Sequence, residues 1–590
     1  MLLVDVAFEL SASGLQGKDS EIKINHQTVA SGNKNTLIAS QLTVPSTGEV
    51  LITVEQNGKR VLHKNLIALP GWVSLLPPLA AILLAFLLRS VIPALFIGLW
   101  VGAWAVNGLT VASLIPSFFD SITVYVVNTA TDSGHMSIIV FSLLIGGMVG
   151  IISRNGGMVG IVHKIMPFAS SPRRGQAVVA TLGVAIFFDD YANTMIVGNA
   201  TRPISDQLRI SREKLAYLVD STSAPIAAIA IITTWIGFEI GIIESAIANL
   251  DGITGSAYLL FLHSLPYNFY PFLAIAFVYI VVVTKRDFGP MYKAEVRARQ
   301  TGVVALSQGK EASIDEFCHK DEIPCRAINA ILPIGAMVVS VVSGLFISGE
   351  GATLTDIIGS ADAYLVLIWA SLVGCLVAVI LSLSQGLLSL DETVDAWLAG
   401  ARFMLSGLVL LVLAWAVGDV AGVLQTAPFL VSVLGDSLSA ASLPAIIFIL
   451  AALTAFATGS SWGVMAILMP MAIPLCWAVM LSEGIADVEH MHIFYSAIAC
   501  VLAGAVWGDH CSPISDTTVL SSLATGCNHM DHVKTQLPYA LFTGITGTLL
   551  CTLPVGYGAP WWLMLILAVV FLSVVHRYFG KTVEAAQTTI

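Results

Sequence analysis

Two adjacent carboxylates, Asp189 and Asp190, stand between apolar runs in Phe187-Phe188-Asp189-Asp190-Tyr191-Ala192-Asn193-Thr194. In a low-dielectric setting neighbouring carboxylates cannot both ionise cheaply unless a cation joins them. A proton and a hard cation then compete for one charge, which is the elementary step of antiport. Asn193 and Thr194 follow within a helical turn, where their oxygens can complete a hard-cation shell. The other reading of the pair is that one aspartate caps the helix beginning there. Asp190, nearer the turn centre, is the first choice for binding cation or proton. Asp220-Ser221-Thr222-Ser223-Ala224-Pro225-Ile226 and Asp509-His510-Cys511-Ser512-Pro513-Ile514 repeat one pattern. In each, an acid is followed three residues later by a serine, Ser223 or Ser512. Pro225 and Pro513 then suit the first turn of a new helix. Each acid therefore either serves the site, with Ser221 and the two serines beside it, or caps a helix start. Asp516 and Thr517, one turn after Ser512, supply a second acid on the same stripe. Thr458-Gly459-Ser460-Ser461 offers only hydroxyl and carbonyl oxygens, so the expected site is asymmetric.

Other polar residues carry weaker signals. His510 beside Asp509 is either a pH sensor or a hydrogen-bonded core histidine, the favoured reading. Asp419, late in an apolar run, reads as a kink or helix end. Glu239 and Glu244 fall near the outer mouth and read as solvated. His529, Asp531 and His532 read as a surface cluster. Trp397, Trp415, Trp561 and Trp562 read as packing or interfacial belt residues. The eight cysteines are scattered, several within apolar runs, so no disulfide framework is expected, and Cys318-His319 with Cys325 has no standard zinc spacing.

The elements that must hold these carboxylates follow from composition. Of 590 residues, 56% are hydrophobic and 11% charged, against about 25% charged in soluble domains. At roughly 20 apolar residues per crossing, the uncharged runs make this an all-α polytopic membrane protein. Soluble enzymes, nucleic-acid binders and fibrous proteins are excluded, and a net charge of -11 argues against a phosphate-tracking surface. Apolar spans are expected at 72-88, 91-107, 136-153, 212-243, 265-284, 326-348, 363-384, 396-423, 491-526, 536-555 and 560-577. Segments 175-203 and 442-480 are interrupted and read as re-entrant hairpins, giving about 11 spans plus 2 hairpins. Residues 1-66 alternate with strand period and form a small β domain, with Asn57-Gly58 a type I′ hairpin signal. The remaining divisions are a first membrane repeat over 72-284, a cytoplasmic linker over 285-325, a second repeat over 326-577 and a cytoplasmic tail over 578-590.

Six of the 27 Lys and Arg lie in the N-terminal domain. All the others fall on one side if both interrupted segments return to the side they left, and that side is then the cytoplasm. The opposing loops near 108-135, 244-262, 349-362, 424-441, 481-490 and 556-559 contain none. The N-terminal domain is then outside and the C-terminus cytoplasmic, although Met1-Leu2-Leu3-Val4-Asp5 lacks a signal-peptide pattern. A truncated or mis-assigned start is the expected explanation. Each half carries a broken hairpin followed by a broken span, entering from opposite sides, as two inverted repeats. Unwound backbone at bilayer depth persists only where protein or a water-filled cavity satisfies it, so paired breaks point to a midplane site.

Leu76-Pro77-Pro78-Leu79-Ala80-Ala81-Ile82, Leu95-Phe96-Ile97-Gly98, Phe187 to Asn193, Gly459-Ser460-Ser461-Trp462-Gly463 and Gly508-Asp509-His510-Cys511-Ser512-Pro513-Ile514-Ser515-Asp516-Thr517 resemble the NhaC-type sodium/proton antiporter family of the ion transporter superfamily. The resemblance runs from about residue 72 to 555 and implies paired re-entrant hairpins and alternating access. It does not cover the N-terminal domain. The expected activity is sodium/proton antiport in a bacterial inner membrane, with sodium as cargo and no resident cofactor. The alternative is cation-coupled transport of a small organic acid or amino acid held at half-helix N-termini; family members of both kinds occur, so scaffold is implied more firmly than substrate. An enzyme is not expected, as no nucleotide loop, H-E-x-x-H or cofactor cysteine motif is present. Oligomeric state is open.

Overall fold

The computed structural model describes residues 2–583 except 5–7, 14, 16–19, 33–35, 58, 89, 249, 251, 254, 307–318, 321–322, 354–356, 359, 427, 430–432 and 434–437. Cys318, Arg89 and residues 584–590 of the expected tail lie outside the described residues. The N-terminal region is a sheet. Strands Ser20–Ile24, Gly48–Gln56 and Lys59–Leu69 pair antiparallel, flanked by Gln27–Gly32 on one edge and by Leu2–Leu3, parallel to Lys59–Leu69, on the other. Phe8–Ser13 and Thr36–Leu42 form a separate two-stranded ribbon. Gln56 pairs with Lys59 across a two-residue turn, and Asn57 takes φ 52°, the left-handed conformation that such a turn requires. Alternate residues Val50, Ile52 and Val54 of one strand are buried with Ile22, Leu37 and Ala68. Strand Lys59–Leu69 leads directly into the turn Gly71–Leu75 and the first apolar helix.

Ten helices among the described residues are long and apolar enough to cross a bilayer, and Ala257–Tyr267 with Phe269–Thr284, bent by 45°, makes an eleventh candidate. Two of the expected assignments change. Residues near 108-135, expected as a loop, contain helix Val111–Thr131, which meets the length and composition of a span but is only 11% buried. Its start is tied to the end of helix Val91–Val106 through Trp104 Nε1 to the Thr110 carbonyl, 2.8 Å, and Asn107 Nδ2 to Ser117 Oγ, 2.9 Å. Its last turn meets helix Leu390–Val423 through Thr129 Oγ1 to Asp419 Oδ2, 3.2 Å. Gly102 packs on Val420, so both anchor points are at the same end of the bundle and the helix lies across that end.

The second change concerns 72-88 and 91-107, expected as two spans. Helices Leu76–Leu88 and Val91–Val106 have 13 and 16 residues, about 20 and 24 Å at 1.5 Å per residue, against a hydrocarbon core of about 30 Å. They pack closely, with Gly98 against Pro77 and Ala81. The Ser74 carbonyl accepts from Thr426 Oγ1 at 2.8 Å at one end of the pair, and at the other end Val91 lies against Gly463. The pair is thus a short hairpin whose turn stops at the level of a central cavity. A hairpin and two crossings have the same parity, so the sidedness of later elements is unaffected.

Two longer helical pairs close the same way. Pro172–Ala185 and Asp190–Gln207 turn at 186–189, and their far ends meet where Gly175 packs on Leu208 and Ile210. Leu443–Thr458 and Ser461–Ser482 turn at 459–460, and their far ends meet where Glu483 Oε1 accepts from the Ala440 N–H at 2.9 Å. After each hairpin comes an interrupted helix. Arg212–Asp220 ends in an irregular stretch to Trp235, with one helical turn at Ala224–Ala227, before Ile236–Ile247. Met491–Cys511 breaks at 512–515 before Asp516–Thr525. Gly459 sits at φ 70°, and a Cβ there would come within 2.6 Å of the Ile514 carbonyl oxygen. Gly459→Ala must push the second hairpin turn off the following break. It is expected to lower stability by about 1–3 kcal/mol, read as a lower Tm of the purified protein.

Candidate functional site

The interruptions at 186–189, 221–235, 459–460 and 512–515 converge around a cavity of about 280 Å³. Helix Leu390–Val423 closes it from the side through Phe403, Ser406 and Leu410, and the short hairpin contributes Ser90 to Ile92. Seven of the residues singled out from sequence line it: Asp190, Thr458, Ser460, Ser461, Asp509, Asp516 and Thr517. Those seven supply three carboxylates and four hydroxyls, and among the described residues the lining holds no Lys or Arg. The carboxylates are spread around the wall. Among the described residues no three His, Cys, Asp or Glu come close enough to grip one metal ion.

The adjacent acids divide the work. Asp189 is the N-cap of Asp190–Gln207, accepting the Ala192 N–H at 2.7 Å, and its other oxygen takes Thr234 Oγ1 at 2.9 Å. Asp190 faces the cavity and accepts Trp235 Nε1 at 3.0 Å. Asn193 sits behind the turn. Its amide nitrogen lies 2.6, 3.0 and 3.1 Å from the carbonyls of Gly183, Ile186 and Thr222, closing off backbone that the break leaves open. Asn193 Oδ1 and Thr194 Oγ1 are buried without a partner. In the second half, Ser460 caps Ser461–Ser482 by accepting the Gly463 N–H at 3.2 Å, and Thr458 Oγ1 donates back to the Thr454 carbonyl at 2.8 Å. Asp509 accepts Ser515 Oγ at 2.5 Å and Thr517 Oγ1 at 3.4 Å. Asp516 is exposed at the mouth.

Asp220, Ser221, Ser223 and Ser512 are not on the cavity wall. Asp220 is enclosed by Gln536 Nε2 at 2.6 Å, Ser521 Oγ at 3.2 Å and Thr518 Oγ1 at 3.4 Å, with His532 and His510 ring nitrogens at 3.7 and 3.9 Å. Ser221 Oγ shares a hydrogen bond with His510 Nε2 at 3.0 Å, whose Nδ1 meets Tyr270 Oη at 2.5 Å. Ser223 Oγ donates to the Asp220 carbonyl, and Ser512 Oγ to the Phe456 carbonyl at 2.7 Å, docking the second break on the second hairpin.

Two expectations are corrected here. His532 is not on the surface. It is fully buried and bonded to Gln536 Oε1 at 2.8 Å, because His529 begins a helix that carries the next turn inward. Glu239 is not solvated either. It is 0% exposed and neither oxygen has a partner among the described residues, since Ile236 to Ile243 of its helix are all buried. Sequence reasoning also passed over Thr234, Trp235 and Gln536. Gln536, a lone amide in an apolar helix, was a usable signal. The bonds of Thr234 and Trp235 depend on where the chain resumes its helix, which no local pattern marked.

A second hollow of about 500 Å³ shares Tyr191, Phe403, Ser406 and Asp516 with the cavity and is reached past Arg402 and Leu523. On the opposite side Trp462 packs on Phe238 with ring centroids 4.5 Å apart and on Trp235 at 5.8 Å. The cavity therefore communicates with one end of the bundle and is blocked by aromatic rings toward the other.

A family model described as the Na+/H+ antiporter family matches residues 226–553. The chain belongs to that family. It is a multi-pass membrane protein and a secondary transporter, not an enzyme. The match includes Trp235, the second hairpin turn and Asp509 to Thr517, and begins after the hairpin bearing Asp189 and Asp190. An uncharacterised protein of Haemophilus influenzae is 29% identical over 492 residues, covering 82% of this chain and 91% of that one. Among solved structures, the YdaH transporter of Alcanivorax borkumensis aligns with TM-score 0.46 and 15% identity over 75% of this chain and 90% of that one. MtrF of Neisseria gonorrhoeae, whose structure is described as illuminating a class of antimetabolite efflux pumps, gives 0.45 and 15% over 81% and 95%.

Asp189→Ala removes a cap and is expected to lower stability by about 1 kcal/mol, whereas Asp189→Asn, itself a good cap, leaves Tm unchanged. Glu239→Leu removes a buried carboxyl that has no partner, a group whose unmet desolvation costs about 1–3 kcal/mol. Its Tm is expected to hold or rise.

Proposed function

We propose that the protein is a sodium/proton antiporter in which the two cations take turns at the mid-depth carboxylates. The observation that carries this is a cavity lined by Asp190, Asp509, Asp516 and hydroxyl oxygens, with no basic side chain in its wall among the described residues. Oxygen donors of this kind suit a hard monovalent cation, and a carboxylate left without one in a dry site takes a proton instead. Asp190 is the central binding group, with Asp509 and Asp516 across the cavity and Thr458, Ser460, Ser461 and Thr517 as neutral ligands. The unpartnered oxygens of Asn193 and Thr194 stand behind Asp190 as further acceptors. Asp189 acts as cap and orienter, and the Asp220, Ser221, Ser223 and Ser512 contacts hold the breaks together.

The two long hairpins are re-entrant in this reading, and the halves they open are inverted repeats. Supporting it, each hairpin has its far ends together and its turn docked on the break that follows. The end with the Lys and Arg clusters is cytoplasmic by the positive-inside rule, which puts the N-terminal sheet outside a bacterial inner membrane. The structure then corresponds to a state open to the cytoplasm past Arg402. Alternating access breaks the packing of Trp462 on Phe238 and Trp235 and closes the opening around Asp516.

One observation favours a second reading, cation-coupled transport of a small organic anion or amino acid. About 280 Å³ exceeds what one dehydrated ion fills and nears the roughly 300 Å³ lower range of small-molecule sites. Proteoliposomes containing a pH dye separate the two. Sodium-driven proton flux without organic solute is the expected result, and flux that requires added solute replaces the antiport reading with the second one. Asp190→Asn keeps shape and removes charge, so it is expected to cut flux by about tenfold or more with normal yield and Tm, because an ionisable group at membrane depth is functional by default. Deletion of residues 1 to 66 is expected to leave flux intact in the same assay.

A further inference from the structure

A separate hollow of about 490 Å³ opens at the end of the bundle that carries the Lys and Arg clusters. It lies between the first turn of Pro172–Ala185, the last turns of Phe269–Thr284 and helix Gly289–Thr301. Arg173, Arg174, Lys285 and Arg299 line it, against two carboxylates, Asp287 and Glu295. Both carboxylates are committed inward. Asp287 Oδ1 takes Lys214 Nζ at 2.5 Å and Tyr539 Oη at 2.7 Å. Glu295 takes the Ser211 N–H and hydroxyl, each at 2.8 Å, Gln176 Nε2 at 3.2 Å and Arg299 Nη2 at 3.3 Å. Arg173 and Arg174 are exposed, and neither has an ion pair among the described residues; Arg174 Nη1 reaches only Ser170 Oγ, 2.9 Å. Beside this basic rim the wall turns apolar at Val282 and Val283, and Val283 is 57% exposed. The start of Pro172–Ala185, capped by Ser171, adds the positive end of a helix.

We infer that this hollow binds phosphate, presented as the headgroup of an anionic lipid. Two exposed arginines, Arg173 and Arg174, with no acid paired to them among the described residues, are a receptor for an outside anion. Basic pockets between membrane helices on the positively charged side are suited to acidic headgroups. The apolar flank favours the lipid over a free ion, since it supplies a surface for acyl chains. The headgroup would join two elements that lead to the site: Pro172–Ala185 is the arm that leads to Asp189 and Asp190, and Asp287 grips Lys214 on the helix ending at Asp220. The inference is independent of which substrate is carried.

The test titrates the purified full-length protein in neutral detergent with dioctanoyl phosphatidylglycerol, dioctanoyl phosphatidylcholine and inorganic phosphate, reading binding by native mass spectrometry and Tm. Phosphatidylglycerol is expected to bind in preference to phosphatidylcholine, with an affinity that falls as salt rises. The double variant Arg173→Gln with Arg174→Gln should lose about 10- to 30-fold in affinity. A control pair on the sheet, Arg60→Gln with Lys64→Gln, should lose none. Inorganic phosphate that raises Tm equally, and does so less in the Arg173/Arg174 variant, assigns the site to a free anion of the same chemistry. Equal binding of both lipids, equal affinity in wild type and the Arg173/Arg174 variant, or an equal loss in the control pair overturns the proposal.

Discussion

Backbone that leaves the helix at bilayer depth exposes N–H and C=O groups that hydrocarbon cannot satisfy, each at a cost of several kcal/mol. The structure meets that requirement with side chains on neighbouring elements. Asn193 places one amide against three carbonyls from the first hairpin and the following break. Ser512 ties the second break to the Phe456 carbonyl. Asp189 and Ser460 cap the two half-helices that restart after the hairpin turns. Close contact is part of the same solution, since Gly459 has room for no side chain against Ile514. Because these bonds run between hairpin and break, each pair is one structural unit.

This pairing decides which carboxylates remain available. Asp189 takes a donor on each oxygen, and Asp220 is joined to Gln536, Ser521 and Thr518 with two imidazoles close by. Asp190 has the Trp235 indole and an open cavity, and Asp516 stands at its mouth. Chemically identical groups thus separate into braces and candidate ligands according to whether they reach the cavity wall. Trp235 belongs to both sets: it bonds Asp190 and packs on Trp462, so the site and the aromatic block above it share one residue.

Sidedness rests on a different balance. Positive charge gathers at one end, with Arg212 on Asp206 at 2.7 Å, Arg297 on Glu213 at 2.8 Å and Lys214 on Asp287. Arg297 ties Arg212–Asp220 to Gly289–Thr301, Asp287 ties it to the short strand before that helix, and Asp206 ties it to the end of Asp190–Gln207. The helix Val111–Thr131 is the counterpart at the other end, where apolar length is used to lie across the bundle rather than to traverse it.

Much of this was legible in the amino-acid order. Runs such as Ala363–Ser384 are apolar over the length of a bilayer and must cross or pack in it, whatever their neighbours. The Asp189-Asp190 and Asp509 to Thr517 stretches break such runs with polar residues that hydrocarbon cannot hold, so their convergence on a protected site follows from solvation alone. Period-2 alternation likewise marked the strand Gly48–Gln56. What composition could not resolve is any choice between states of equal apolarity. Helices of 13 and 16 residues pass for spans until Val91 is seen against Gly463, and the stretch near 108-135 passes for a loop until Val111–Thr131 is found as a helix docked at one end of the bundle. Nor does the sequence say that Asp190 opens to the cavity while Asp220 is enclosed, that His532 turns inward, or that Glu239 has no partner. Those outcomes depend on which groups from distant segments arrive beside each carboxylate, and only the packing of the whole chain supplies them.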